Sequence, residues 1–172
     1  MTQTAAAPSQ TSRNASRAYV LALLTLVYTF NHIDRQVLVI LLEPIKADLG
    51  LDDAQLGLLT GLAFAAFYAT LGIPMAMWAD RGNRRTIISL SLAVWSGMTA
   101  ISGLAQNFWH LLIARMGVGV GEAGGTPPAT SIISDLYAPH ERATALGIYT
   151  TGIGFGILGG FMLGGLVYEA LG

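Results

Sequence analysis

Long apolar stretches alternate with short charged ones along the whole chain. Five of them, at about residues 18–42, 56–79, 86–105, 108–136 and 144–171, each reach the roughly 20 residues a helix needs to cross a bilayer. The sharpest boundary is the run Asp80-Arg81-Gly82-Asn83-Arg84-Arg85, set between two nearly uncharged stretches. Such a run reads as a short water-facing loop clamped between two membrane helices. The last two stretches exceed the usual length, which permits tilt or an extension into water. Pro44 and Pro139 lie near stretch ends, where a missing amide donor is easily tolerated. The expected fold is all-α and polytopic.

The loops agree on one sidedness. Arg13 and Arg17 precede the first stretch, Arg81, Arg84 and Arg85 follow the second, and Arg142 follows the fourth. On the opposite side the first loop carries Lys46 among Glu43, Asp48, Asp52 and Asp53, and the Gln106–Asn107 turn has no basic residue. Basic residues accumulate on the cytoplasmic side. The N-terminus is therefore expected inside, in a multi-pass protein of the cell inner membrane.

Composition changes the picture only by exclusion. The chain is 53% hydrophobic and 11% charged, against roughly 25% charged in soluble domains. With a net charge of −1 and no cysteine, no disulfide, thiolate metal site or nucleic-acid partner is expected. Residues 1–17 are polar and read as a disordered cytoplasmic tail, and residues 18–172 as the helical bundle. A cleaved signal is not expected, because the first apolar segment is too long and carries charge. No nucleophile–base pair or metal set stands among the stretches, so neither an enzyme nor a cofactor is expected.

Ionisable residues inside the apolar stretches carry the most information. Burying a charge in hydrocarbon costs at least about 2.5–3.5 kcal/mol, so His32, Asp34, Arg35, Arg115 and Glu122 must face a cavity or a partner. At about 1.5 Å of rise per residue, Asp34 and Arg35 lie roughly 24–26 Å beyond the inner end of the first stretch. Glu122 lies roughly 21 Å into the fourth from the outer side, near the midplane, with Arg115 nearer that outer side. Arg115 and Glu122 share a face but are too far apart for direct contact. Asn31 can reach Asp34 or Arg35. The functional reading is a polar cavity between the first and fourth stretches, with Glu122 and Asp34 handling a proton and Arg35, Arg115 and Asn31 binding substrate. The bland alternative is a structural network, such as Asp34 to Arg115, that only locks helices together. His32 reads as a packing or hydrogen-bonding residue, without support for a metal site.

Glycines give a second signal. Gly152, Gly156, Gly160 and Gly164 recur every fourth residue in the fifth stretch, as do Gly117, Gly121 and Gly125 in the fourth. That spacing makes a groove for close helix packing, either static or a surface along which helices rock. Pro127 and Pro128 are expected to break the fourth stretch below Glu122, and Pro74 to bend the second. Phe108, Trp109 and Trp78 fit interfacial anchors. Tyr28, Phe64, Phe67 and Tyr68 read as packing residues or as walls of an apolar cavity.

These segments resemble the major facilitator superfamily and, within it, the Spinster-type lipid transporters. The superfamily signature runs glycine, three residues, aspartate, basic, any residue, glycine, basic residues. Here Ala76 stands at the first glycine, Asp80, Arg81, Arg84 and Arg85 match, and Asn83 replaces the second glycine, as in the Spinster branch. Asn31-His32-Ile33-Asp34-Arg35 is similar to the branch's first-helix pattern. The segment from Arg115 through Glu122 to Pro128 is similar to its fourth-helix pattern, and Ile133-Ser134-Asp135-Leu136 with Pro139 and Arg142 to its link into the fifth helix. The resemblance implies twelve helices in two six-helix halves working by alternating access. Five are present, so the chain reads as an incomplete N-terminal six-helix bundle whose partner is the missing C-terminal half. It also implies proton coupling and gating at Glu122, Asp34 and Arg35. Asp80 and Arg81, with Arg84, Arg85 and Arg142 beside them, are implied to form a cytoplasmic latch.

The leading expectation is a proton-coupled carrier of amphipathic lipids, of lysophospholipid or sphingoid type. A proton-coupled symporter of small organic anions would use the same charges. A non-transporting membrane scaffold or assembly subunit would need the glycines but not the charges.

Overall fold

The computed structural model describes residues 10–171, apart from the side chains of residues 10–13, 63, 64, 79, 80 and 171. The described residues are helical or in short turns. The helices are α1 (Gln10–Ile40), α2 (Leu42–Leu49), α3 (Asp53–Gly57), α4 (Ala63–Arg81), α5 (Arg84–Ser102), α6 (Phe108–Ala123), α7 (Thr126–Leu136) and α8 (Pro139–Leu171). A π-helical turn, Leu58–Leu62, fuses α3 to α4. Among the described residues, two helices are long and apolar enough to cross a membrane by length and composition, Asp53–Trp78 and Pro139–Ala170. Large apolar side chains such as Leu62, Ile73, Leu104, Ile113 and Leu166 point outward. That surface would be a liability in water and suits a hydrocarbon surround.

Two boundaries differ from the sequence reading, and a third, the break in the fourth stretch, follows it. α1 begins at Gln10, so the described part of the N-terminal tail, residues 10–17, is helical rather than disordered. The reason is a tertiary anchor, an ion pair from Arg17 to Glu141 at the start of α8 and the stacking of its guanidinium 4.4 Å over the Tyr137 ring. The first loop contains the short helix α2, closed by Gly50 at φ +62°. The fourth apolar stretch is two helices, α6 and α7, broken at Gly124–Gly125, with Pro127 and Pro128 in the first turn of α7, where few amides have an intrahelical partner to lose.

Asn83 explains its own departure from the glycine of the superfamily motif. It is the N-cap of α5, its Oδ1 accepting from the amides of Arg85 at 3.1 Å and Thr86 at 3.4 Å. Asparagine is among the best N-cap residues, and a cap is worth about 1 kcal/mol. Asp52 caps α3 in the same way, through a reciprocal capping box with Gln55.

Helix packing divides into two tight seams. α1 lies along α8, while α6 packs against α5 and α4. Gly152, Gly156, Gly160 and Gly164 of α8 all face α1. A Cβ on Gly156 would lie 2.7 Å from the Thr29 carbonyl and against His32, and one on Gly160 would strike Gln36. Across the other seam, a Cβ on Gly121 would lie 2.6 Å from the Trp95 amide nitrogen, and Gly117 meets Met98. The second seam continues through Gly124, which faces Ser91, and not through Gly125, because α6 ends there and the chain turns.

Two apolar clusters bracket the middle of the bundle. Leu21, Leu24, Ala129, Ile133, Ala145 and Tyr149 pack at the end nearer the Arg81 loop. Leu51, Leu56, Leu59 and Leu111 pack at the end nearer Asn107. The polar residues lie between them.

Candidate functional site

Asp34 and Arg35 are neighbours on α1, so their side chains diverge by about 100° around the helix. That divergence sends them to different partners. Arg35 reaches α6, where its Nε donates to Glu122 Oε2 at 2.8 Å and its Nη2 closes an ion pair with the same oxygen. Asp34 turns to α5, where its Oδ2 accepts from Trp95 Nε1 and Thr99 Oγ1, both at 2.6 Å. The sequence reading gave Asp34 a share with Glu122 in handling a proton, or a lock to Arg115. Its hydrogen bonds run to α5.

The Arg35–Glu122 pair is unevenly buried. The Glu122 side chain is 1% exposed and the Arg35 side chain 35%. Tyr68 of α4 sits beside the guanidinium, its ring centre 5.7 Å from Cζ. The carboxylate is thus held in the interior while its cation opens toward a free face. Removing one partner of such a pair leaves a buried charge uncompensated, at a cost of about 3–5 kcal/mol.

The other candidates fall around this centre. Arg115 is 6% exposed on α6, within electrostatic range of both Glu122 and Asp34. Asn31 lines the same small cavity as Glu122, together with Ser91, Thr126 and Tyr149. His32 holds the Tyr28 carbonyl through Nδ1 at 3.0 Å and meets the Tyr28 ring edge-on, while Tyr28 stacks on Tyr149 of α8 at 4.5 Å. His32 therefore belongs to the α1–α8 packing.

The loop residues are far from this centre. Trp95 lies eleven residues along α5 from Arg84, roughly 16 Å at the helical rise. Arg84 makes an ion pair with Asp135 at the end of α7, and Arg142 Nε donates to the Tyr137 carbonyl at 3.1 Å. Both residues thus have partners inside this bundle. Arg81 and Arg85 are exposed, and the side chains of Asp80 and Phe64 lie outside the described residues. At the same end, the Arg17 guanidinium holds the Glu141 carboxyl below its ordinary range by hydrogen bonding, helped by the Ala138 amide.

Sequence reasoning missed Trp95 and Thr99 as the partners of Asp34, Tyr68 beside Arg35, and Ser91. A signal existed, since Ser91, Trp95 and Thr99 stand at four-residue spacing and so share one face of α5.

Comparison with known proteins places this arrangement. The family model described as Major Facilitator Superfamily matches residues 24–172. A crystal structure of a bacterial homolog to the human lysosomal transporter Spinster, inward-facing and occupied, superposes with a TM-score of 0.84 at 55% identity. That match covers 87% of this chain and 32% of that one. An MFS-type efflux pump of Mycolicibacterium smegmatis is 37% identical over 149 residues, 87% of this chain and 35% of that protein. The sphingosine-1-phosphate transporter of Mus musculus is 32% identical over 153 residues, 88% of this chain and 28% of that protein. The chain spans about a third of the length of the relatives it matches.

Proposed function

The chain belongs to the Major Facilitator Superfamily, a family of transporters and not an enzyme fold, and is homologous to Spinster; on that premise we propose that it forms the N-terminal part of a proton-coupled carrier of amphipathic lipids. The single observation that carries this reading is the Arg35–Glu122 ion pair between α1 and α6. An anionic head group arriving at Arg35 from its open side competes with Glu122 for the guanidinium, which can hold phosphate or carboxylate through two parallel hydrogen bonds. Glu122, left in a low-dielectric interior without its cation, then favours the neutral acid and takes up a proton. Substrate binding and proton uptake become one linked event. Asp34, held by Trp95 and Thr99, orients α1 so that Arg35 faces the carboxylate, and Arg115 adds positive potential for the same anion.

The lipid class rests on the likeness to Spinster and to the sphingosine-1-phosphate transporter. In this reading seven of the eight helices make five crossings, α1, α3 with α4, α5, α6 with α7, and α8, with the N-terminus on the cytoplasmic side of the inner membrane. Asp80 and Arg81 then act on the cytoplasmic face, against helix ends of the other half of the carrier.

Uptake by the full-length carrier in proteoliposomes tests the reading. A pH gradient should drive accumulation of a lysophospholipid or sphingoid phosphate, and Glu122→Gln should abolish that drive in a folded protein. Wild-type coupling in Glu122→Gln, or uptake confined to small organic acids, would overturn it.

A further inference from the structure

Serine and threonine hydroxyls in these helices mostly donate to a carbonyl one turn back. Thr25, Thr29, Thr60 and Ser102 each bond the residue four before them, at 2.8–2.9 Å. Ser91 does not. Its Oγ is buried and makes no hydrogen bond, and the residue is 5% exposed. Glu122 has the complementary defect, because Arg35 takes Oε2 while Oε1 is buried without a well-formed hydrogen bond, the Asn31 side chain being the nearest other polar group to the carboxylate. Leaving a buried polar atom unsatisfied costs about 1–3 kcal/mol, and here two occur at one place.

Both atoms belong to residues lining one cavity of about 30 Å³ between α1, α5 and the α6–α7 break. A water needs roughly 10–15 Å³ and two to four polar partners. Asn31, Thr126 and Tyr149 also line the space, which continues past Ile88 and Ala129 toward the Arg81 end. Gly124 lets the two helices close on this point, since a Cβ there would strike Ser91 Oγ.

We propose that this cavity holds an ordered water bridging Ser91 Oγ and Glu122 Oε1, and that Ser91 is a positioning residue for proton exchange at Glu122. The inference rests on the coupling role proposed for Glu122. The water donates to Oε1 while Ser91 fixes its orientation. In the exchange an O–H bond of the water breaks as one forms at Oε1, and the water regains a proton from the aqueous pool. Only a proton moves, and nothing is oxidised or reduced. Because Arg35 approaches the carboxylate at Oε2, the water is already poised at Oε1 when substrate draws the guanidinium away, and the acid forms there.

Infrared difference spectroscopy of the full-length carrier in nanodiscs reads the hydrogen bonding of the Glu122 acid, its C=O band being identified by its loss in Glu122→Gln. In Ser91→Ala the band should move to the higher frequency of an acid with weaker hydrogen bonding, and proton-driven uptake should slow about three- to tenfold. An unmoved band in Ser91→Ala, with coupling still lost in Glu122→Gln, would overturn the water bridge alone. Wild-type coupling in Glu122→Gln would overturn the reading beneath it. Should Ser91→Ala not fold, density for water between Ser91 and Glu122 in a high-resolution structure of the unaltered protein supports the bridge, and clear absence of density there overturns it.

Discussion

Arg35 and Glu122 stand 87 residues apart in sequence and on helices whose backbones are not packed along each other, yet Arg35 Nε lies 2.8 Å from Glu122 Oε2. The contact is made by side chains reaching across the middle of the bundle, between the two apolar clusters.

A double-mutant cycle should expose that relationship. Arg35→Ala alone leaves the buried carboxylate unpaired and is expected to destabilise by about 3 kcal/mol, the low end for a buried pair because the arginine is partly open. Glu122→Gln added to it should restore much of the loss, since a neutral amide needs no cation. Additive effects of the two substitutions in detergent unfolding would show that the pair is energetically idle.

The glycines of α8 separate into those that touch α1 and those that do not. Gly156→Ala and Gly160→Ala should each destabilise by about 1–3 kcal/mol through overpacking, because the new methyl meets backbone or Cβ atoms of α1. Gly154→Ala meets nothing within 4 Å and should be neutral or stabilising, by up to about 1 kcal/mol of helix propensity. Thermal unfolding of the three variants checks this, and equal effects at all three would deny that the seam is specific.

Acid should loosen the join between α1 and α8. Glu141 has its carboxyl held below the ordinary value of 4.5, chiefly by the hydrogen bond from Arg17. A depressed folded-state value means that the pair contributes stability above pH 4.5, and the contribution disappears as pH falls through the lower folded-state value. Arg17→Gln should therefore lower Tm at pH 7 and leave it nearly unchanged once the pH is below the folded-state value. A Tm difference independent of pH would exclude the ion pair as its cause.

Asp80→Asn is expected to shift the full-length carrier toward inward-open forms without a large change in substrate affinity. The loop is remote from the Arg35–Glu122 centre, so direct contact with a substrate bound there is excluded by distance. The chain has no native cysteine, so single cysteines in the 82–83 loop and at the Asn107 turn can report accessibility from each side. Unchanged labelling together with a large loss of affinity would show that the loop acts on the substrate site.

Much of this architecture was legible because the relevant signals are local. The charged run from Asp80 to Arg85 marked a loop, and the four-residue glycine spacing marked a close-packed face. Asp34, Arg35 and Glu122 stood out because charge in an apolar stretch is costly. Pairing was less legible, since it depends on how helices are rotated. A difference of about 100° between adjacent residues decides that Arg35 meets Glu122 while Asp34 meets Trp95 and Thr99. The unsatisfied hydroxyl of Ser91 was not legible for a different reason. A lone serine in a helix normally satisfies itself, and only the packed neighbours reveal that this one does not. The helical start at Gln10 was missed because polar composition suggested disorder, and its anchors, Tyr137 and Glu141, lie more than a hundred residues away.

The two seams have a mechanical consequence. Within α1–α8 and within α5–α6, contact depends on shape, and separating either pair means undoing backbone-close packing along a row of glycines. Between these two plates the named polar links are Arg35 to Glu122 and Asp34 to Trp95 and Thr99. Resistance to prying them apart therefore combines charge at that point with the apolar packing of α7 on α1 and α8. A force that depends on fit cannot be switched without remaking the helix surface. In the proposed cycle, the part that depends on a carboxylate is released by a single proton, leaving both plates intact to swing back when it departs.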